Sequence, residues 1–258
     1  VDPFTHNGNG TKYDRFTITF KKSNGVNKDG IYNSLSGCTF VNIDFVIDAT
    51  NNDTVDTNST GGYFGLFANE LLGSTFTNCT FEINTGNKTL DENVQVFGLL
   101  AGRVNRAVFN DTTITISNAV NKLTSLNESG KTNVTHIGGV FGFMRDSTLD
   151  AFTANLTAFD FGSSDTRIYN NSICYYAGGF AGRVEGGTIS NLTINLSRVN
   201  HSVRLEKVTT DKGGGINFGG VFGGISQTTM NGIKVSHITL AVDTVMTSVQ
   251  HNNMRIGV

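Results

Sequence analysis

Tryptophan is absent from this 258-residue chain, and proline occurs once. Strong helix formers are scarce. Gly, Asn and Thr are abundant instead, and they are poor in helix interiors, which excludes a helical bundle. Charged residues make up only 16% of the chain, and the formal net charge is -2. That balance lacks the basic surface a nucleic-acid partner requires. No stretch approaches 18 consecutive apolar residues, so no helix of this sequence spans a membrane. The three cysteines, Cys38, Cys79 and Cys174, exclude a disulfide-dense scaffold. They form at most one bridge with a thiol left over, or are three small buried hydrophobes, the preferred reading. The chain starts at Val1 and shows no signal peptide, so it is expected to be cut from a longer precursor.

What is present is strand-forming. Thr, Val, Ile and Phe suit pleated strands, and Gly and Asn suit tight turns. A glycine signal repeats: Gly61-Gly62-Tyr63-Phe64-Gly65, Gly98-Leu99-Leu100-Ala101-Gly102, Gly138-Gly139-Val140-Phe141-Gly142, Gly178-Gly179-Phe180-Ala181-Gly182 and Gly219-Gly220-Val221-Phe222-Gly223. The copies start 37, 40, 40 and 41 residues apart. A Thr-apolar-Thr/Ser-Asn-like run follows each, and one more copy begins at Cys38.

Alignment of these runs produces columns. The first holds Phe40, Phe76, Phe109, Leu149, Ile189 and Met230, and the next holds Ile43, Cys79, Thr112, Phe152, Leu192 and Ile233. Then come Phe45, Phe81, Ile114, Ala154, Ile194 and Val235. The fourth is Ile47, Ile83, Ile116, Leu156 and Leu196, which His237 breaks. The last three columns alternate with period two, the mark of a strand with one buried face. The step of three before them demands a bend at Asn42, Asn78, Asp111, Ala151, Asn191 and Gly232. Asn, Asp and Gly tolerate the left-handed backbone of such a corner.

Like residues stacking on like residues in successive turns describe a coil. The expected fold is all-β: a right-handed parallel β-helix (β-solenoid) of about six coils, period 37–41 residues, with long variable loops. Strand spacing makes such a column about 29 Å tall. Two coils of about 20 residues per repeat form a rival geometry. It is disfavoured because residues 117–137, 157–177 and 197–218 align poorly and read as protruding loops. Gly65, Gly102, Gly142, Gly182 and Gly223 fall in one expected structural column, where backbones approach closely. Residues 1–28 read as a lead-in and 29–258 as one β-helix domain that continues beyond Val258, because the next glycine signal is due there.

At these residues the chain resembles the GLUG-type repeat, a Gly-Gly-apolar-apolar-Gly core followed by a Thr-apolar-Ser-Asn run. Residues 178–196 match most closely, and the resemblance covers residues 30–240. Such repeats are similar to those of large surface adhesins and filamentous-haemagglutinin-like proteins. The resemblance implies an extracellular, elongated and non-enzymatic protein.

Thirteen Asn-x-Ser/Thr sequons occur, at Asn9, Asn52, Asn58, Asn78, Asn87, Asn110, Asn127, Asn133, Asn155, Asn170, Asn191, Asn195 and Asn200. With 30 Asn and 51 Ser plus Thr in 258 positions, chance gives about 6 (30 × 51/258). The excess points to the secretory pathway and the cell surface. Asn58, Asn87, Asn127, Asn133, Asn170 and Asn200 lie in variable loops, and Asn155 and Asn195 share an outward column. These eight are the leading acceptors. Asn78 and Asn191 read equally as acceptors or as an inward Asn ladder at the bend.

Chemistry is sparse. Sugar hydrolysis needs two carboxylates about 5–10 Å apart, and Asp44, Glu82, Asp111 and Asp150 fall in different columns or beside Thr and Asn. The histidines His6, His136, His201, His237 and His251 have no metal-ligand spacing. Asp48, Asn51, Asn52, Asp53 and Asp56 form an oxygen-rich loop, read as solvated rather than calcium-binding because the EF-hand spacing is missing. Lys212-Gly213-Gly214-Gly215 lacks the phosphate-loop spacing. No catalytic, cofactor or metal residue is therefore assigned.

The expected function is an extracellular structural or adhesive glycoprotein, a segment of a rod or filament. It would partner itself or another subunit end to end. Loops 84–97, 117–137, 157–177 and 197–218 could meet a host receptor or glycan. The alternative is a carbohydrate-binding module or a polysaccharide-active enzyme on the same scaffold.

Overall fold

The computed structural model describes residues 5–7, 14–19, 26–51, 53–91, 93–117, 120–125, 131–132, 134–168, 175–206, 216–236, 238–247 and 254–257. Among them there is no helix, and the strands pair in parallel. The chain is an all-β parallel β-solenoid.

Among the described residues, to which the strand counts refer, three sheets form its walls. The leading sheet precedes each glycine corner and has six strands, from Tyr63–Phe64 through Val96–Gly98, His136–Gly138, Tyr175–Gly178 and Ile216–Gly219 to Met254–Gly257. The trailing sheet follows the corner and has six, from Tyr32–Ser36 through Ala68–Leu72, Ala101–Asn105, Phe141–Arg145 and Ala181–Glu185 to Phe222–Ser226. The large sheet has 18 strands and carries the aligned apolar columns.

The register matches the columns read from the sequence. Phe76 pairs with Phe40 and Phe109, Phe109 with Leu149, Leu149 with Ile189, and Ile189 with Met230. Phe81 pairs with Phe45 and Ile114, and Ile83 with Ile47 and Ile116. Parallel stacking brings identical rings together. Phe40–Phe76 and Phe76–Phe109 lie 5.1 and 4.9 Å apart, tilted by only 8° and 9°. Phe67 meets Phe40, Phe45, Phe76 and Phe81 edge-on from the turn between the leading and trailing strands. The Phe columns are therefore core. His237 lies outside the described residues.

The bend column is left-handed at all six positions: φ is 57° at Asn42, 49° at Asn78, 48° at Asp111, 50° at Ala151, 52° at Asn191 and 67° at Gly232. Ala151 has no side-chain amide or carboxylate to favour this region, so its Cβ clashes without compensation. Replacing Ala151 by Gly is expected to stabilise the fold by about 1 kcal/mol, read as a raised urea midpoint at unchanged slope.

The sequence signals did not identify a second left-handed column at the other end of the short strand. It contains Gly37, Gly73, Arg106, Asp146, Gly186 and Gln227, all with φ between 47° and 70°. Backbone bonds to the next coil hold it, such as Gly73 N to Asn105 O (2.9 Å) and Arg106 N to Arg145 O (3.0 Å).

Two expectations need correction. The first copy of the glycine signal is out of register by four residues. Tyr63 and Phe64 pair with Val96 and Phe97, so Gly65 aligns with Gly98 rather than with Gly102. Ala68 and Glu70 pair with Ala101 and Arg103, which puts Asn69 in the column of Gly102. Asn69 is buried, and its Oδ1 accepts from Gly30 N (3.1 Å) and Gly65 N (3.3 Å). Its Nδ2 donates to Asp29 and Asn33 (2.8 and 3.1 Å). A satisfied amide stands there in place of a glycine.

The variable loops are the second correction. Thr148–Ile168 and Thr193–Glu206 are continuous strands, and they pair from Ala158–Arg198 onward through Ile168–Leu205. Val120–Ser125 and Thr239–Thr247 join them on either side. The physical cause is a weak period-two pattern. Phe159, Phe161, Val199 and His201 are buried, while Asp160, Arg198, Asn200 and Ser202 beside them are polar.

Candidate functional site

Each sheet contributes one column of side chains near the glycine corner, in which Val96 and Asn217 are buried and the other leading-sheet members are half-buried or exposed. On the leading sheet Val96, His136, Tyr176, Asn217 and Arg255 follow Tyr63 in register. On the trailing sheet Arg103, Phe143, Arg183 and Gly224 follow Glu70. The two columns touch because glycines at the corner let the walls close. A Cβ built on Gly182 would stand 2.6 Å from Gly142 O and 2.8 Å from Ile137 N.

The result is a ladder of rings and guanidinium groups. Arg103 lies over Tyr63 at 5.3 Å and pairs with Glu70 at 3.2 Å. His136 stacks on Tyr176 at 5.3 Å and 14°, and meets Phe143 at 5.3 Å. Arg183 covers both Tyr176 (5.1 Å) and Phe143 (6.0 Å) and pairs with Glu185 (3.3 Å). Burial, and then the Arg183 charge, pull the His136 pKa down to about 4, so the ring is neutral in this stack at neutral pH. No sequence motif singled these residues out. The available signal was the position two residues before each leading glycine, which reads Tyr63, Val96, His136, Tyr176, Asn217 and Arg255.

The glycosylation candidates are placed unevenly. Asn58, Asn110, Asn191 and Asn195 are exposed, whereas Asn78, Asn87, Asn155 and Asn200 are half-buried. Asn9, Asn52, Asn127, Asn133 and Asn170 lie outside the described residues. Asn200 is on a strand between Asp160 and Ala241, not in a loop. A ladder does exist at the bend, between side chains of successive coils rather than to backbone. Asn78 Nδ2 donates to Asn42 Oδ1 (2.6 Å), and Asn191 Nδ2 to Asp150 Oδ1 (3.0 Å). On the outward column Asn195 Nδ2 donates to Asn155 Oδ1 (2.8 Å) and Ser236 Oγ to Asn195 Oδ1 (2.7 Å).

No family model, curated protein or solved structure matches the chain.

The oxygen-rich loop is met by a cation from the next coil. Lys88 is buried, and its Nζ donates to Ala49 O (2.8 Å) and Asn51 O (2.6 Å). Asp56 accepts from Thr57 N (2.7 Å) and Asn93 Nδ2 (2.9 Å). Among the described residues no group of three or more His, Cys, Asp or Glu could hold a metal ion. Asp44 accepts from Thr80 Oγ1, and Asp150 accepts from Ser190 (2.7 Å) and Asn191, which hold its carboxyl below the usual range. Cys38 and Cys79 are buried thiols, and Cys174, His251 and Lys212–Gly215 lie outside the described residues.

His201 is a core residue, stacked on Phe161 at 5.2 Å and 4.8 Å from Phe218. Its Nδ1 has no partner, and burial lowers its pKa to about 4 against the weak opposing pull of Gly219 O. The native state keeps the ring neutral, while the unfolded chain binds a proton below about pH 6.5. Stability is thus complete above about pH 6.5 and falls as the pH drops toward 4. The slope is about 1.4 kcal/mol per pH unit for this residue. His136 adds a similar dependence. His201→Phe keeps the ring stack and is expected to remove the His201 share, roughly half of the combined slope of the two histidines, measured by urea unfolding across this range.

Proposed function

We propose that the chain is a segment of an extracellular, N-glycosylated structural or adhesive rod. The observation that carries this reading is the excess of sequons, 13 against about 6 by chance. Exposure of the acceptor amides at Asn58, Asn110, Asn191 and Asn195 supports it. The repeat resembles the GLUG type, and with it the surface adhesins. Glycans on outward columns would coat the walls and leave the coil ends bare.

Growth along the axis, coil on coil, is the mode of assembly this fold favours. The last coil exposes Ile225, Val235 and Ile256 at 45%, 45% and 55%. A second subunit would cover such a face with parallel strands.

The test is intact mass of protein from a eukaryotic secretory host, before and after N-glycosidase. A loss of several glycan masses is expected, with peptide mapping assigning Asn58 and Asn195 among the occupied sites. An unchanged mass overturns the glycoprotein reading.

A further inference from the structure

The sequons spare one part of the surface. Every sequon that falls on a described strand, at Asn110, Asn155, Asn195 and Asn200, lies on the large sheet. The leading and trailing strands contain Asn33, Asn69, Asn105 and Asn217, and none of these heads a sequon. The charges on these strands are selected too. None of the chain's ten lysines and no aspartate lies on them, whereas Arg103, Arg145, Arg183 and Arg255 do. Arginine and aromatic rings are enriched where proteins meet, and lysine and aspartate are depleted. The half-buried rings of Tyr63, Phe143 and Tyr176 stand among these guanidinium groups.

The order of charges along the trailing column says how a second copy fits. In successive coils it reads Glu70, Arg103, Phe143 and Arg183, all half-buried. Identical faces meet about a two-fold axis that lies in the plane of contact. With that axis along the solenoid, each coil faces its own copy, and Glu70, Arg103 and Arg183 each meet a like charge. With the axis across the solenoid, between Arg103 and Phe143, the order reverses. Glu70 then faces Arg183, and Arg103 faces Phe143, at two symmetric places each. Both contacts attract, one as an ion pair and one as a cation over a ring. One strand position further, Asn105 faces Arg145 and Leu72 faces Glu185, again with no like charges opposed. Within its own chain Glu70 holds Arg103 (3.2 Å) and Arg183 holds Glu185 (3.3 Å), so the cross-pairs extend existing ion pairs into a network.

We propose that the leading and trailing sheets form a lateral docking wall, on which a second copy of this chain packs antiparallel. The proposal deepens the adhesive-rod reading and rests on it only for the glycans that keep the large sheet clear of such contacts. Side-by-side pairing thickens a rod, whereas stacking on the last coil lengthens it.

Analytical ultracentrifugation of the whole chain from a secretory host, over a dilution series, tests it. A dimer is expected. Arg183→Glu and Glu70→Arg should each weaken it by roughly a hundredfold, because like charges then face each other at two symmetric places. The double variant Glu70→Arg/Arg183→Glu should restore it. Arg198→Glu makes the same change of charge on the large sheet and should leave the dimer intact. Melting curves check that every variant folds, to which partly exposed ion pairs contribute little. Monomer at every concentration, association indifferent to the single reversals, equal weakening by Arg198→Glu, or no recovery in the double variant each overturns the proposal. Association through the coil ends alone would show that indifference. None of these outcomes bears on the glycosidase mass shift, so the two readings fail separately.

Discussion

Gly142→Val is expected to abolish the cooperative unfolding transition, and Gly142→Ala to cost about 3 kcal/mol. The reason is space, not backbone conformation. A Cβ at Gly142 would stand 2.6 Å from Gly102 O, 2.6 Å from Val96 Cγ1 and 2.8 Å from Phe97 O. Two of these are backbone oxygens held in the parallel ladders, so neither can swing aside. Relief would require the leading and trailing walls to separate, and the ladder of outward rings would separate with them.

Gly73 supplies the control. Its φ is 61°, and nothing lies within 4 Å of a Cβ built there. Gly73→Ala should cost only the left-handed backbone penalty, about 1 kcal/mol. Arg106, Asp146 and Gln227 already occupy equivalent corners. Circular dichroism during urea titration of the three variants separates the two causes. Similar losses at Gly142→Ala and Gly73→Ala would show that conformation, not space, selects glycine at the corner.

Phe76→Ala is expected to lose about 3–5 kcal/mol. Phe76 is fully buried, stacked between Phe40 and Phe109 and met edge-on by Phe67 and Phe81. Deleting it removes contacts in three successive coils. Met230 ends the same column half-buried, so Met230→Ala should lose clearly less. Solenoid stability is carried by nearest-neighbour interfaces. The Phe76 variant should therefore open first around its own coil. Hydrogen exchange would show protection lost at Thr75–Thr77 and its neighbours before it is lost at Thr188–Ser190. Uniform loss along the chain would contradict that picture.

The columns of Phe40, Ile43, Phe45 and Ile47 were legible because each coil must satisfy the same burial at the same place. Repetition then multiplies a weak signal. The Asn bend was legible for a related reason, since few residue types tolerate its φ, and even Ala151 was placed by its neighbours in the column. The corner at Gly37, Gly73, Arg106, Asp146, Gly186 and Gln227 was not. Its members range from Gly to Arg, Asp and Gln, and a Cβ at Gly73 meets nothing within 4 Å, so the column has no common residue type to betray it. The strands after Leu156 and Leu196 were hidden by polar outward residues, although Phe159-x-Phe161 and Val199-x-His201 carry the inward alternation. Gly65 was misplaced because Gly61-Gly62-Tyr63-Phe64-Gly65 imitates the signal four residues early. The true copy, Gly65-Leu66-Phe67-Ala68-Asn69, ends in an amide.

The sequence by itself determined the solenoid, its period, its buried columns and one of its corners, because those follow from local burial repeated at fixed spacing. Only the tertiary structure decided the register of the first coil, the extended walls and the outward ladder from Tyr63 to Arg183. The ladder joins residues of different sheets and different coils. Their meeting depends on how tightly the glycine corner closes, a distance that no spacing along the chain encodes.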